Sequence, residues 1–356
     1  MSEMTSRERY ARMYAHREAD RVPIIDSPWR GTIERWVREG MPKGADWAQF
    51  LNVDRVRAIS MDNSPRYPVK VIEDTPEYQI VTSPWGVTSR NFKHADATPE
   101  FLDFTVTTPE KWEEAKARMT PTPDRINWDY LKKNYPIWQK EGAWIDANFW
   151  FGFDVTHSWM AGTETILVAM YEDPDWVVDM FNTYLDMSIA LFEQVWDAGY
   201  HFDGIHWWDD MGYKGSTFFS LDMYRELLAP VHKRAVDWAH NRGIVAHLHS
   251  CGDIMSFVDD LVHRVGIDAL NPLEVKAGMD AVALKKQYGD KLVLHGGINA
   301  VLWNDKEAII EEIRRIVPIL KEGGGYIFSS DHSIPNSVSL DTMRAIVAEV
   351  KRVGSY

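Results

Sequence analysis

Ile244-Val245-Ala246-His247-Leu248-His249-Ser250-Cys251-Gly252-Asp253 reads as a strand emptying into a loop, between a helix that stops at Asn241-Arg242-Gly243 and another that starts near Asp253. Alternation sets His247, His249 and Cys251 on one face, successive pairs roughly 6.5 Å apart, with the last two at the strand's carboxyl end. Imidazole nitrogen and thiolate sulfur are a zinc set, and a pair two residues apart can converge on one ion with bonds of about 2.0 to 2.3 Å. The same residues fit a hydrogen-bonded interior histidine beside a small apolar filler, the usual fate of a free cysteine. Taken alone they leave both readings open. His247, one layer deeper, reads as hydrogen-bonding support for its neighbours or as a further ligand.

Outward from this strand the pattern is regular. Toward the C-terminus come helix 254–265, strand 269–274, helix 280–288, strand 292–297, helix 306–321, strand 325–332 and helix 340–353. Toward the N-terminus come helix 221–240, strand 203–208 ending at Asp209-Asp210, a long helix from Pro174 to the stop at Gly199 with Asp173 as its cap, strand 144–150 and helix 128–140. Residues 99–123 read as a proline-punctuated connection carrying a helix over 109–119, and residues 65–100 as a β-hairpin excursion. Before them lie strand 57–61, helical patterns at 31–39 and 46–51, a first strand over 21–26, and an exposed helix over 5–19.

Eight strands separated by helices predict an α/β fold: one (β/α)8 TIM barrel over 1–356, with N-terminal helical and β-hairpin excursions. The alternative is an open doubly wound sheet, but no Gly-x-Gly-x-x-Gly turn follows a strand.

The 356-residue chain carries a formal net charge of -14 and no segregated basic patch, which argues against a nucleic-acid or anionic-membrane partner. Residues 1–21 alternate charges without the apolar core of a signal peptide, and no apolar run approaches the ~18 residues of a membrane span. A cytoplasmic location is the expectation. The single cysteine, Cys251, leaves no internal disulfide to form. Aromatic residues make up 12% of the chain and Trp accounts for 16 positions, a surplus suited to a flat apolar substrate.

In a barrel the active site lies at the carboxyl ends of the strands. Asp62, Asp209, Asp210, His249, Cys251, Asn271, Glu274, His295, Asp331 and His332 stand there. Any one of them reads equally as a loop residue capping the next helix, the preferred reading for Asp210 and Asp253. Trp29, Asn148, Trp150, Trp207, Asp209 and Asn271 are candidates to contact substrate. Of the adjacent Trp207 and Trp208, alternation sends one toward the helices as core.

The runs His249-Ser250-Cys251-Gly252-Asp253, Leu270-Asn271-Pro272-Leu273-Glu274, Gly296-Gly297-Ile298 and Gly323-Gly324-Gly325-Tyr326-Ile327-Phe328-Ser329-Ser330-Asp331-His332-Ser333-Ile334-Pro335 resemble the uroporphyrinogen decarboxylase superfamily. The likeness is nearer to its zinc-dependent, cobalamin-linked methyltransferases than to the decarboxylase. It implies a single (β/α)8 barrel and a homodimer or higher homo-oligomer. It also implies a zinc site in which His249 and Cys251 match the His-x-Cys motif, His332 takes the place of a further cysteine, and Glu274 is the carboxylate ligand.

Two departures count against porphyrinogen decarboxylation. The arginine-rich signature after the first strand is missing, only Trp29-Arg30 standing there, and Ser158 occupies the place of a tyrosine. Asp62 is a short match to the pyrrole-binding aspartate. The expected function is methyl transfer from a small methylated donor, preferably a methoxylated aromatic, to the cobalt of a corrinoid on a separate protein, since no Asp-x-His-x-x-Gly cobalt-ligating motif occurs in the chain. His249, Cys251, His332 and Asp62 are the expected catalytic residues, and His295 a contact to the corrinoid or substrate. A metal-free lyase acting on another acid through Asp62 and His332 is the alternative. A catalytically idle barrel within a larger assembly is the third reading.

Overall fold

The computed structural model describes residues 3–94 and 98–356. In chain order the strands are β1 (Val56–Ile59), β2 (Val71–Asp74), β3 (Tyr78–Thr82), β4 (Val87–Phe92), β5 (Glu100–Phe104), β6 (Trp144–Phe149), β7 (Gly204–Trp208), β8 (Gly212–Tyr213), β9 (Ser216–Thr217), β10 (Val245–His249), β11 (Ala269–Asn271), β12 (Val293–His295) and β13 (Tyr326–Ile327). The central sheet runs β1-β6-β7-β10-β11-β12-β13 and is parallel throughout. Residues 22–26 take the eighth place. Ile24 bridges Phe328 in parallel, and its carbonyl accepts the Asp54 N–H at 3.0 Å. The TIM barrel expected from the strand and helix rhythm is the fold.

Parallel strands need crossover helices, which cover the outer face. The long helix Pro174–Asp197 illustrates how local sequence sets its bounds: Asp173 accepts the Trp176 N–H at 3.4 Å, and Gly199 follows at φ +88, a conformation that costs glycine little. Two helices expected to be continuous are broken. Residues 221–240 divide into Leu221–Met223, a wide turn Tyr224–Leu228 and Ala229–His240, and residues 255–265 divide likewise. No helix among the described residues is long and apolar enough to cross a membrane.

The excursion is larger than expected. Strands β2 to β5 form a four-stranded antiparallel sheet that reaches Phe104, so Glu100–Phe104 is a strand rather than connection; residues 95–97 of that stretch lie outside the described residues. The helix after it, Pro109–Lys116, starts where proline at its first position predicts.

The first helix, α1 (Ser6–Tyr14), is not the exposed element its alternating charges suggest. Arg9, Tyr10 and Met13 are buried. Tyr10 and Tyr14 stack on Trp144 at 5.4 and 5.2 Å between ring centroids. With Ala269, Val293 and Ile327 they form an apolar cluster that seals the amino-terminal end of the barrel. Asp54, fully buried, fastens the seal by accepting from Arg9 at 2.7 Å, Arg21 at 2.6 Å and the Ile24 N–H at 2.8 Å. A buried carboxylate held by two guanidiniums keeps its charge compensated.

Candidate active site

Strand register gathers the site. Trp208 on β7 lies beside His249 on β10, which lies beside Asn271 on β11. The ladder continues past the strand ends through Asp209 N–H to His249 O and Ser250 N–H to Asn271 O, both 2.8 Å. Residue 210 is thereby set next to residue 251, and Asp210 Oδ1 accepts the Cys251 N–H at 2.7 Å. The loop folds back tightly at Gly252 (φ +82), where a Cβ would meet the backbone of Gly212 at 2.1 Å. Only glycine fits there.

The His249 Nε2 to Cys251 Sγ distance is 3.3 Å, and His249 Nε2 to Asp210 Oδ1 is 3.6 Å. One ligand atom from each of Asp210, His249 and Cys251 falls within 4.8 Å of the others. A tetrahedron with bonds of about 2.0 to 2.3 Å has edges of about 3.4 Å, so the spacing suits a zinc ion. Burial pushes the Cys251 thiol up, and the Asp210 and Glu274 carboxylates push it further. A cation bound here would reverse that field and favour the thiolate. Burial lowers His249 and raises Asp210. The donor set therefore fits the metal that His249 and Cys251 imply.

Asp210 is the residue that sequence reading assigned elsewhere. It caps no helix, since Ser220 caps the turn at Leu221–Met223. The signal was present in the adjacency of two strands ending at Asp209-Asp210 and His249-Ser250-Cys251. Glu274, the expected carboxylate ligand, is turned to the loop: it accepts the Gly252 N–H at 2.8 Å and pairs with Lys276 at 3.3 Å. His332 is exposed at the mouth, its ring 6.4 Å from Trp29, and stands outside the trio. Asp253 does cap, accepting the Met255 N–H at 3.0 Å.

A cavity of about 530 Å³ opens beneath the mouth, lined by Trp29, Asn148, Trp208, His249, Cys251, Asn271, His295 and His332 among others. Trp208 faces it and Trp207 does not: Trp207 is fully buried against Phe151 and His232 on the helix side. Trp150 stacks behind Trp208 at 5.1 Å. Asp209 also leaves the cavity wall. It is fully buried, bonded to His232 Nε2 and the Asp154 N–H at 2.7 Å each, and burial raises its carboxyl. Asp62 is half-exposed and bonded to Arg66 at 2.6 Å and Ser64 at 2.6 Å, away from the lining. Alternation leaves one of Trp207 and Trp208 facing the helices, and the structure makes it Trp207; Asp209 and Asp62 stand at strand ends with their side chains turned to His232 and Arg66.

Deeper in the barrel stand His206, His247 and His295, of which sequence reading named the last two. Ring centroids are 4.7 Å apart for His206 and His247 and 5.2 Å for His247 and His295. Burial pushes His206 and His295 down to about 3 and lowers His247 as well. Tyr14 of α1 meets His247 Nδ1 at 3.2 Å. Below them, burial raises Asp146 to about 7, its Oδ1 accepting the Trp144 indole N–H at 2.8 Å.

A closed parallel α/β barrel with an acidic, imidazole and thiol cluster at the carboxyl end of its strands defines a class of barrel enzymes. Residues 154–353, more than half of the chain, match the uroporphyrinogen decarboxylase (URO-D) family, and the protein belongs to it. A methyltransferase from Methanosarcina mazei has a similar fold, with a TM-score of 0.67 at 16% identity, covering 98% of this chain and 99% of that one. A B12-independent methionine synthase from Shewanella sp. W3-18-1 matches at a TM-score of 0.41 and 11% identity over 86% of this chain and 83% of that one. No curated protein matches the sequence.

Proposed function

We propose that the protein is a zinc-dependent methyltransferase that moves a methyl group from a methoxylated aromatic donor to the reduced cobalt of a corrinoid on a separate protein. The observation that carries this reading is the Asp210, His249 and Cys251 trio at tetrahedral spacing, three ligands that leave a fourth position for a substrate oxygen. Zinc held by these residues supplies Lewis acidity at the ether oxygen, whose poor departure is the difficulty of the reaction. One carboxylate and one thiolate make the loaded site formally neutral, a better Lewis acid than the anionic site that a second thiolate added to the trio would give.

The chain's own residues do the rest. Trp208 and Trp29 flank the approach to the trio and give a flat ring apolar surface. Glu274, by holding the Gly252 N–H, fixes the loop that carries Cys251. His332, exposed at the rim and lining the same cavity, would return a proton to the departing oxygen. In the overall reaction the O–CH3 bond breaks, the methyl joins cobalt(I) as methylcobalt(III), and the electron pair left on oxygen takes up a proton to give the phenol. The corrinoid protein docks over the mouth, where the cavity that holds the donor opens.

Two features oppose the metal-free lyase. Asp62 is tied to Arg66 and Ser64 rather than facing the cavity. Arg30, which stands where a carboxylate-gripping signature belongs, bonds the Lys93 carbonyl at 3.2 Å and pairs with Glu34 at 3.6 Å.

Zinc-loaded protein mixed with reduced corrinoid protein and a panel of methoxyarenes is expected to yield methylcobalt and free phenol in equal amounts. Zinc-replete protein that turns over none of the panel would overturn the reading.

A further inference from the structure

Four buried polar atoms without a hydrogen-bond partner crowd one level of the barrel: His206 Nε2, His247 Nε2, His295 Nδ1 and Asn271 Oδ1. All four residues line the cavity. Buried polar atoms left unmatched are destabilising, so a cluster of them needs a ligand or water to answer it. They are not a metal site, because only the Asp210, His249 and Cys251 atoms come close enough together among the described residues.

We infer that His206, His247, His295 and Asn271 form a floor that binds an uncharged hydroxyl on the donor ring, at the end opposite its methyl ether. This deepens the methyl-transfer reading and rests on it for the ether's place at the trio. The depth agrees: His206 lies 6.4 Å from His249 between ring centroids, and alternate residues of a strand are ~6.6 Å apart, close to the span between para substituents of a benzene ring. Trp208 lies 4.5 Å from His206 and 6.5 Å from His249, flanking both levels.

The chemistry selects the group. A neutral imidazole presents one donor and one acceptor, and Asn271 adds an acceptor. A hydroxyl both donates and accepts, so it answers two of these atoms together. An ether or a carboxylate only accepts. A carboxylate would also bring an uncompensated charge into a buried wall, where the imidazole of His247 bonds a neutral tyrosine hydroxyl.

Titration of the zinc-loaded protein, followed by tryptophan fluorescence, tests this without any corrinoid. Para-methoxyphenol is expected to bind roughly tenfold tighter than methoxybenzene, the worth of about one buried hydrogen bond, and tighter than para-methoxybenzoate. His206→Phe and His295→Leu should erase that preference while zinc content stays at one equivalent. The comparison of ligands on the unaltered protein stands even if a variant does not fold. Equal binding of the three, tighter binding of the benzoate, or no binding at all would overturn the inference and leave water as the floor's partner. Failure of the methyl-transfer reading looks different: para-methoxyphenol binds with the expected preference and no methylcobalt forms with any donor.

Discussion

The two ends of the barrel are built from alternate residues of the same strands and have opposite characters. At the amino-terminal end, Trp144, Ala269, Val293 and Ile327 pack under Tyr10 and Met13 of α1. Two residues further along β6, β11 and β12 stand Asp146, Asn271 and His295, facing a cavity, the last two with polar atoms left unmatched. Stability is thus concentrated at one end and chemistry at the other. A change at either end should be readable in one kind of measurement and nearly silent in the other.

The largest effect is expected from Cys251→Ser. Losing a ligand should weaken zinc binding by at least the roughly hundredfold known for lost supporting contacts, while the metal-free protein melts within a degree or two of the parent. Equilibrium dialysis against zinc checks the first and calorimetry the second. A large drop in metal-free stability would mean that the trio holds the fold together as well. Met13→Ala tests the other end. Met13 is fully buried, and truncating it should cost about 2 to 5 kcal/mol in a denaturant titration, with zinc stoichiometry unchanged. A cost below about 1 kcal/mol would show α1 to be dispensable packing.

The pH dependence of stability sharpens the boundary between the ends. Burial raises Asp146 to about 7 from an unfolded value near 3.9, so between those pH values the native chain holds a proton that the unfolded chain has lost. Its contribution to stability is complete at low pH and is lost as pH rises toward 7, by about 1.4 kcal/mol per pH unit. Asp146→Asn removes that slope and should leave a flatter stability curve over pH 4 to 7. An unchanged curve would place the ionised carboxylate inside the barrel.

The barrel was legible because strands covered on both sides read as short apolar runs separated by helices, as around Val245–His249 and Val293–His295. What stayed hidden was settled by partners far away in the chain. Arg9 looks like a surface residue until Asp54, 45 residues on, neutralises it in the interior. Asp210 looks like a helix cap until the register of β7 and β10 sets it beside Cys251. His206 shares the inward face with Trp208 by simple alternation, one layer below the strand end where functional side chains are expected.

The sealed amino-terminal end of the barrel is also where residues 21–22 meet residues 354–356. The Val22 N–H bonds the Gly354 carbonyl at 3.0 Å, Arg21 bridges Ser355, and the Tyr356 hydroxyl reaches the Met13 sulfur at 3.7 Å. Residues 6–14 are synthesised before every strand that seats them, so a nascent chain holds Tyr10 and Met13 without their full cover until β13 and Tyr356 emerge. The apolar base of the barrel is complete only once its last strand is present.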